Sequence, residues 1–226
     1  MKRLSIFLCG IFLIWGFAGS AGATFLVEQY DDFWSTDVNA LINYAATNDA
    51  STSANWDYID FTDDPAGFAG EIPGSNPWPS AAAAGVTGTG HALNNTFFAL
   101  ITGDFYISTS GEYTFRTFSD DGVFLYIDGV LTINDPTLHP EQVRTSTGAL
   151  TTGTHSVELY FFENGGEASL EFTIADASGV FTHFDNENYQ NPVPNPNPNP
   201  VPEPSTMLLL GAGLVGLFGA RRKIKK

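Results

Sequence analysis

Polar and apolar residues alternate along several short stretches of the chain, which is the pattern of β-strands with one buried face. The cleanest stretch runs from Glu167 to Ile174. Its predicted inward residues are Ala168, Leu170, Phe172 and Ile174, and its predicted outward residues are Glu167, Ser169, Glu171 and Thr173. The same period of two recurs over 111–118 and 155–162.

Turn sequences separate these stretches at short intervals. Asp128-Gly129 is a strong signal for a two-residue hairpin, and glycine-containing turns are predicted at 110–111, 152–153 and 164–166. Many short strands joined by regular turns are typical of a sandwich or a barrel. The sequence therefore predicts a mostly β fold, with a single β-sandwich or barrel.

Two regions depart from the strand pattern. Val38, Leu41, Ile42 and Ala45 have the spacing of a short amphipathic helix, with Ser35 or Thr36 as the predicted N-cap. The stretch 61–90 is rich in Gly, Pro and Ala, and we expect a long excursion between strands there.

The first 23 residues have the layout of a secretory signal peptide. Lys2-Arg3 is a charged start, an apolar run follows from Leu4 to about Ala18, and Ala21-Gly22-Ala23 is a small-residue cleavage site. We expect the mature protein to begin at Thr24. The single cysteine, Cys9, lies in the signal peptide, so disulfides are not expected in the mature protein.

The composition changes again after the β region of 24–184. Residues 185–201 are rich in Pro and Asn, and such a linker extends about 3.1 Å per residue as a stalk of roughly 40 Å. Residues 202–226 contain Pro202-Glu203-Pro204, an apolar run from Met207 to Ala220 and a basic tail. The apolar run with its small neighbours gives a helix of about 24 Å, short of the roughly 30 Å hydrocarbon layer. The basic tail favours the cytoplasmic side.

The charge of the exported part is strongly negative. Seven of the nine Lys and Arg lie before Thr24 or after Pro204. Residues 24–204 therefore keep two basic residues, Arg116 and Arg144, against 25 acidic ones, which gives a net charge of −23. This charge argues against nucleic acid or an anionic membrane surface as a partner and favours divalent cations. Arg116 is in phase with Thr114 and Phe118, so we expect an outward-facing salt bridge.

The order of parts in 202–226 resembles the PEP-CTERM sorting signal of Gram-negative bacteria. That resemblance implies processing by an exosortase, a membrane transpeptidase-like enzyme, near Pro202-Glu203-Pro204. Proteins with this signal often accompany exopolysaccharide production. The expected protein is exported, anchored in the membrane at least transiently, and then placed at the cell surface or outside the cell.

Five segments occur in a recognisable order between 97 and 174. They are Gly103-Asp104-Phe105-Tyr106-Ile107, Gly111-Glu112-Tyr113-Thr114-Phe115, 119–129 around Asp120-Asp121-Gly122, Gly153-Thr154-His155-Ser156-Val157, and 163–170 around Asn164-Gly165-Gly166. In these segments the chain resembles the PA-fourteen domain, a β-barrel module first defined in anthrax protective antigen and found also in bacterial glycosidases, bacterial surface proteins and yeast adhesins. The resemblance is strong over 97–174 and loose over 24–95.

The PA-fourteen resemblance also implies a binding site. In its adhesin branch, two adjacent aspartates joined by a cis peptide chelate calcium, and an asparagine on a later loop completes the site. The corresponding residues here are Asp120, Asp121 and Asn164. Open calcium positions could take sugar hydroxyls. Trp78 is the best loop candidate for stacking on a sugar, although such a residue often caps the core instead.

An enzyme is not expected. The four histidines are scattered, and the sequence contains neither a nucleophile elbow nor a zinc-protease motif. Adjacent aspartates in one turn cannot flank a glycosidic bond from opposite sides. The predicted function is calcium-dependent binding of exopolysaccharide or surface glycans. The alternatives are a structural matrix or envelope protein without sugar binding and, third, an accessory to glycan-active enzymes.

Overall fold

The computed structural model describes residues 24–63, 69–85 and 96–184. Its strands form two sheets, one of six strands in the order β2-β1-β4-β9-β6-β7 and one of four strands in the order β3-β10-β5-β8. Every strand pairing within the sheets is antiparallel. The elements in chain order are β1 (Phe25–Asp31), α1 (Val38–Ala45), β2 (Thr52–Trp56), β3 (Asp60–Thr62), α2 (Pro79–Ala83), β4 (Phe97–Ile107), β5 (Gly111–Asp120), β6 (Val123–Ile127), β7 (Val130–Asp135), β8 (Gln142–Leu150), β9 (Gly153–Glu163) and β10 (Ser169–Ala175).

The main hydrophobic core lies between the two sheets. It combines alternate residues of β4 and β9, such as Phe97 and Phe161, with Phe115 and Phe172 from the other sheet. The opposite face of the six-stranded sheet carries a second cluster, in which Phe98 and Tyr160 pack beneath α1. The mostly β sandwich predicted from the alternation is therefore confirmed.

The hairpin and helix predictions are also confirmed. Asp128 and Gly129 form the two-residue loop between β6 and β7, with φ angles of 51° and 75°, the left-handed values of a type I′ turn. α1 occupies the predicted position, but its N-cap is Asp37, whose carboxylate accepts the N–H of Asn39 at 2.9 Å. Ser35 instead accepts the N–H of Asp37.

The outward face of β10 differs from the prediction. Leu170, Phe172 and Ile174 do point into the core, but Glu171 and Thr173 are also fully buried. The cause is the excursion after β3, because Gly70 lies against the Glu171 carboxylate and the N–H groups of Glu71 and Ile72 donate to it. Strand periodicity reports which face a residue occupies and does not reveal that a distant segment covers that face.

The same cover changes the environment of Arg116. Its predicted salt bridges exist, at 2.7 Å to Glu71 and 3.3 Å to Glu171, but the guanidinium is buried instead of facing solvent. It lies 3.9 Å from the ring centre of Phe181.

Trp78 is not exposed, so the prediction that it stacks on a sugar is wrong. Its side chain is fully buried, its ring stacks on Phe61 and Phe161, and its indole N–H donates to the Ala168 carbonyl at 3.1 Å. The alternative reading, that this residue closes the core, is the correct one.

The predicted signal peptide, the Pro/Asn-rich linker and the sorting segment lie outside the described residues. Within the parts of the chain that the structure describes, neither helix has the length and apolar character needed to span a membrane. Among the described residues, the strands of both sheets pack on a continuous hydrophobic core, so we expect 24–184 to fold when expressed alone.

We expect Trp78→Ala in the 24–184 segment to lower the free energy of unfolding by about 3–5 kcal/mol, because it leaves a cavity between the sheets. Urea unfolding followed by far-UV circular dichroism measures this loss. Trp56→Ala is the matched control, since Trp56 is only partly buried at the edge of the same core. An equal loss in both variants would contradict the central position of Trp78.

A buried histidine braces the β6–β7 hairpin. His155 holds the Asp128 carboxylate at 2.6 Å through Nδ1 and the Thr151 carbonyl at 2.8 Å through Nε2. Burial alone would lower the pKa of His155, but these two hydrogen bonds outweigh it and raise the pKa above its ordinary value of 6.5. The folded state therefore favours the protonated imidazole.

This pair should make stability depend on pH. Because the folded pKa of His155 exceeds 6.5, its contribution is full below pH 6.5 and is lost as the pH rises through the folded value. The amount is about 1 kcal/mol or less, since the Asp128 side chain is 48% exposed and screened by water. Thermal unfolding at a series of pH values should show this loss in the parent and not in Asp128→Asn, which keeps a residue suited to the left-handed turn.

Candidate metal centre

Chain connections from both sheets meet at one end of the sandwich. In the six-stranded sheet, Phe97 at the start of β4 pairs on one side with Asp31 at the end of β1. On its other side it pairs with Glu163 at the end of β9. In the four-stranded sheet, Ser169 at the start of β10 pairs with Asp120 at the end of β5 and, on its other side, with Thr62 at the end of β3. The β5–β6 and β9–β10 connections are therefore brought together at this end.

The β5–β6 connection is the Asp120-Asp121-Gly122 turn, and the peptide bond between the two aspartates is cis. Gly122 is required by a close approach. A Cβ atom there would lie 2.5 Å from the Asp135 carbonyl oxygen and 2.3 Å from the Phe162 ring, so a larger residue would push the turn away from β9. The Gly122 carbonyl also accepts the N–H of Phe162 at 3.0 Å.

Asp121 connects three loops at this end of the molecule. Its Oδ1 accepts the N–H of His139 at 2.7 Å, and its Oδ2 accepts the N–H of Asn164 at 3.0 Å. Asp121 is buried, whereas the Asn164 side chain is exposed. The structure thus places Asp120, Asp121 and Asn164 together, as the PA-fourteen resemblance implied.

The electrostatic environment of Asp120 opposes a bare negative charge. Its pKa is raised from 3.8 to about 6, first by burial and then by the neighbouring charge of Asp121. Asp63 and Glu141 add to this increase, while His139 partly offsets it. A bound cation would relieve the repulsion among these carboxylates.

Glu163 is a candidate site residue that the sequence analysis missed. Carboxylate oxygens of Asp120, Asp121 and Glu163 all lie within 4.8 Å of one another. Glu163 is fully buried, and its Oε1 accepts the N–H of Gly165 at 2.6 Å. No group among the described residues donates a hydrogen bond to its buried Oε2.

Burial also controls the charge of Glu163. It raises the pKa of this residue from 4.5 to about 8, the Gly165 N–H partly opposes the increase, and Asp121 and Asp120 add to it. A buried carboxylate oxygen without a hydrogen-bond donor is costly in an apolar environment. Together the three carboxylates form a group of hard oxygen donors, of the kind that calcium prefers.

Only the strand register could have identified Glu163. In the sequence it follows an apolar run and precedes the Asn164-Gly165-Gly166 turn, so it resembles an ordinary polar residue at a strand end. Its proximity to Asp120 depends on the pairing of β9 with β6 and on the tight passage at Gly122.

Trp34 is the tryptophan that packs beside this end. It is partly buried, and its ring stacks at 6.2 Å on Phe162, the same ring that lies against Gly122. Trp78, in contrast, offers no surface to a ligand because it lies in the core.

The fold and the acidic turn define a two-sheet β-domain with a candidate cation site at its loop end. The family model of the PA14 domain, the PA-fourteen module of the resemblance above, matches residues 84–180. The model of the PEP-CTERM protein-sorting motif matches residues 200–223. The family models therefore detect a PA14 domain and a PEP-CTERM sorting motif in these parts of the chain, as both resemblances predicted.

Solved structures show the same fold at low sequence identity. A "PA14 sugar-binding domain from RTX adhesin" is 21% identical, with a TM-score of 0.50, and the match covers 72% of this chain and 95% of that one. The epithelial adhesin 9 A domain from Candida glabrata, in complex with Galβ1-3GlcNAc, is 12% identical, with a TM-score of 0.50. That match covers 76% of this chain and 89% of the adhesin domain. An anti-sigma factor domain-containing protein is 18% identical, with a TM-score of 0.50, and the match covers 79% of this chain and 51% of that protein. No curated protein matches the sequence at a significant level.

We expect Glu163→Gln to stabilise the metal-free protein. The folded pKa of Glu163 lies above its ordinary value, so the parent in chelator should lose stability as the pH rises from 4.5 to about 8. Glutamine keeps an acceptor for Gly165 and removes this loss, so the variant should gain at least about 1 kcal/mol, roughly 2–4 °C, at pH 8. Thermal unfolding of the parent and of Glu163→Gln in chelator, at pH 5 and at pH 8, tests this pH dependence. If the two proteins differ in melting temperature by the same amount at both pH values, Glu163 does not have a raised pKa in the folded state.

Proposed function

We propose that residues 24–184 form an exported, calcium-dependent carbohydrate-binding module, displayed at the cell surface by the linker and the sorting segment. The observation that carries this proposal is the acidic group at the loop end. There the Asp120-Asp121 pair meets Glu163, whose buried Oε2 receives no hydrogen bond from the described residues. Calcium would supply the missing positive charge, bound by the three carboxylates and by oxygens of the Asn164 turn.

The sugar would bind on the exposed side of this group. Glu163 lies beneath, Asp120 is half-buried, and Asn164 is exposed, so the outer calcium positions are those that face solvent. Vicinal hydroxyl groups are hard oxygen ligands and suit such positions. Trp34 takes over the role predicted for Trp78, as an aromatic surface beside the turn.

Two similar adhesin domains support this proposal: one is a sugar-binding domain, and the other was solved in complex with a disaccharide. Export and transient membrane anchoring are inferred from the PEP-CTERM motif, with an exosortase as the processing partner and exopolysaccharide as the expected target. No catalytic role is proposed, because the carboxylates converge on one point instead of flanking a bond.

The second candidate is a structural matrix protein that binds no sugar. It is favoured by Asp121, whose two oxygens each accept a backbone N–H and so already have a bracing function. In that case the acidic turn would hold loops together, and the protein would contribute mass, charge and contacts to the matrix.

Calcium should raise the melting temperature of the 24–184 segment. At a calcium concentration a hundred times the dissociation constant, the gain is about 2.7 kcal/mol, roughly 5–10 °C. Asp120→Asn and Glu163→Gln should reduce this increase. Asp104→Asn, an exposed aspartate near the other end of β4, should keep it.

A glycan array read with calcium and with chelator then tests sugar binding. Binding that requires calcium and is weakened by Trp34→Ala, while the calcium response is kept, would support the module. If calcium raises the melting temperature equally in the parent, Asp120→Asn and Asp104→Asn, the site is not a calcium site and the structural candidate takes first place.

A further inference from the structure

A second group of possible metal ligands lies outside the acidic turn. Asp60 on β3, Glu171 on β10 and His183 after β10 each place one donor atom within 4.8 Å of the others. Asp60 and Glu171 are fully buried, and His183 is 7% exposed. The group lies on the face of the four-stranded sheet that the excursion after β3 covers.

Two of these ligands are acids placed directly opposite each other. In the register of β10 with β3, Glu171 is the cross-strand partner of Asp60. Like charges at such a position are destabilising even on a surface, and more so when they are buried. A fold that keeps this pair needs positive charge between or beside the two carboxylates.

Glu171 already has partners. Arg116 lies at 3.3 Å from its Oε1, and its Oε2 accepts the N–H groups of Glu71 at 3.0 Å and Ile72 at 2.7 Å. Burial nevertheless raises the pKa of Glu171, with Asp60 contributing to the increase. Arg116 therefore compensates Glu171 and leaves Asp60 without a comparable partner.

Asp60 carries the inference. Among the residues that the structure describes, none donates a hydrogen bond to either of its carboxylate oxygens, although the residue is fully buried. His183 Nε2 lies 3.4 Å from Oδ2 and also lacks a hydrogen-bond partner within the described ranges. Two ligands held about 2.0–2.1 Å from one tetrahedral zinc ion are separated by about 3.3–3.4 Å.

We propose that Asp60, Glu171 and His183 form a binding site for a first-row divalent metal of the zinc type, separate from the acidic turn. One imidazole nitrogen with two carboxylates suits zinc and its neighbours, whereas calcium takes oxygen ligands alone. His183 would bind the metal through Nε2 as a neutral imidazole. The Tyr58 ring stacks on the His183 ring, with 4.7 Å between the ring centres.

The position of the site gives it a mechanical role. His183 and Phe184 follow the Ile174–Thr182 bridge and precede the predicted linker, so this segment joins the domain to its tether. A metal held by β3, β10 and His183 fastens this segment to the edge of the four-stranded sheet.

Zinc alone is the probe, titrated into the 24–184 segment in the presence of saturating calcium so that the acidic turn is occupied. We expect one zinc ion per chain by calorimetry and a higher melting temperature. His183→Gln and Asp60→Asn should each weaken zinc binding at least tenfold, the scale on which even outer-shell groups act. Both variants should keep the parent's response to calcium.

His155→Gln and His139→Gln are the matched controls, because each removes another imidazole that lies beside an aspartate. They should bind zinc as the parent does. Asp60→Asn also removes one buried like charge, so in chelator it should unfold at or above the parent's temperature, which verifies that it is folded.

A measurement on the unaltered segment complements the variants. Cobalt(II) in place of zinc should broaden the ring proton signals of Tyr58 and His183, and leave those of His139 and His155 sharp. The inference is overturned if zinc does not bind, if His155→Gln loses binding as much as His183→Gln does, or if cobalt broadens the wrong histidine. The calcium titration is separate, so failure of one site is distinguishable from failure of the other.

Discussion

Burial of carboxylates with few positive side chains to compensate them is the constraint on which the functional parts of this structure depend. Residues 24–204 contain two basic residues against 25 acidic ones. Arg116 forms salt bridges with Glu71 and Glu171, and Arg144 forms one with Asp135 at 2.8 Å. The remaining buried acids rely on backbone N–H groups, on histidines, or on the metal ions proposed here.

The two candidate metal sites solve the same problem with different chemistry. At the loop end, Asp120, Asp121 and Glu163 offer only oxygen, and the neighbouring Asn164 turn is open to solvent. At the covered face of the four-stranded sheet, His183 contributes a nitrogen and the group is closed off. An open all-oxygen site suits calcium with an exchangeable sugar, and a closed mixed site suits a structural metal.

Much of the fold could be predicted because antiparallel strands and tight turns are local features. Alternation identified the core face of β10, and Asp128-Gly129 identified the hairpin between β6 and β7. The sequence predicted Ser35 or Thr36 as the N-cap of α1, whereas the N-cap is Asp37, one or two positions later. Several neighbouring polar residues can accept the same N–H groups, so the sequence does not select one of them. Trp78 was misjudged because a loop sequence does not show which side chain turns inward.

The sequence by itself determined the class of the domain and the sorting motif, since these depend on short motifs and on the order of residues. It also predicted a signal peptide, and it predicted Asp120, Asp121 and Asn164 as metal ligands. Only the tertiary structure showed that Glu163 joins the pair, that Glu171 is covered, and that Asp60 meets His183. These features depend on strand register and on segments about 100 residues apart in the chain, as with Ile72 and Glu171. Contacts of that kind arise from packing, which no local pattern of polar and apolar residues contains.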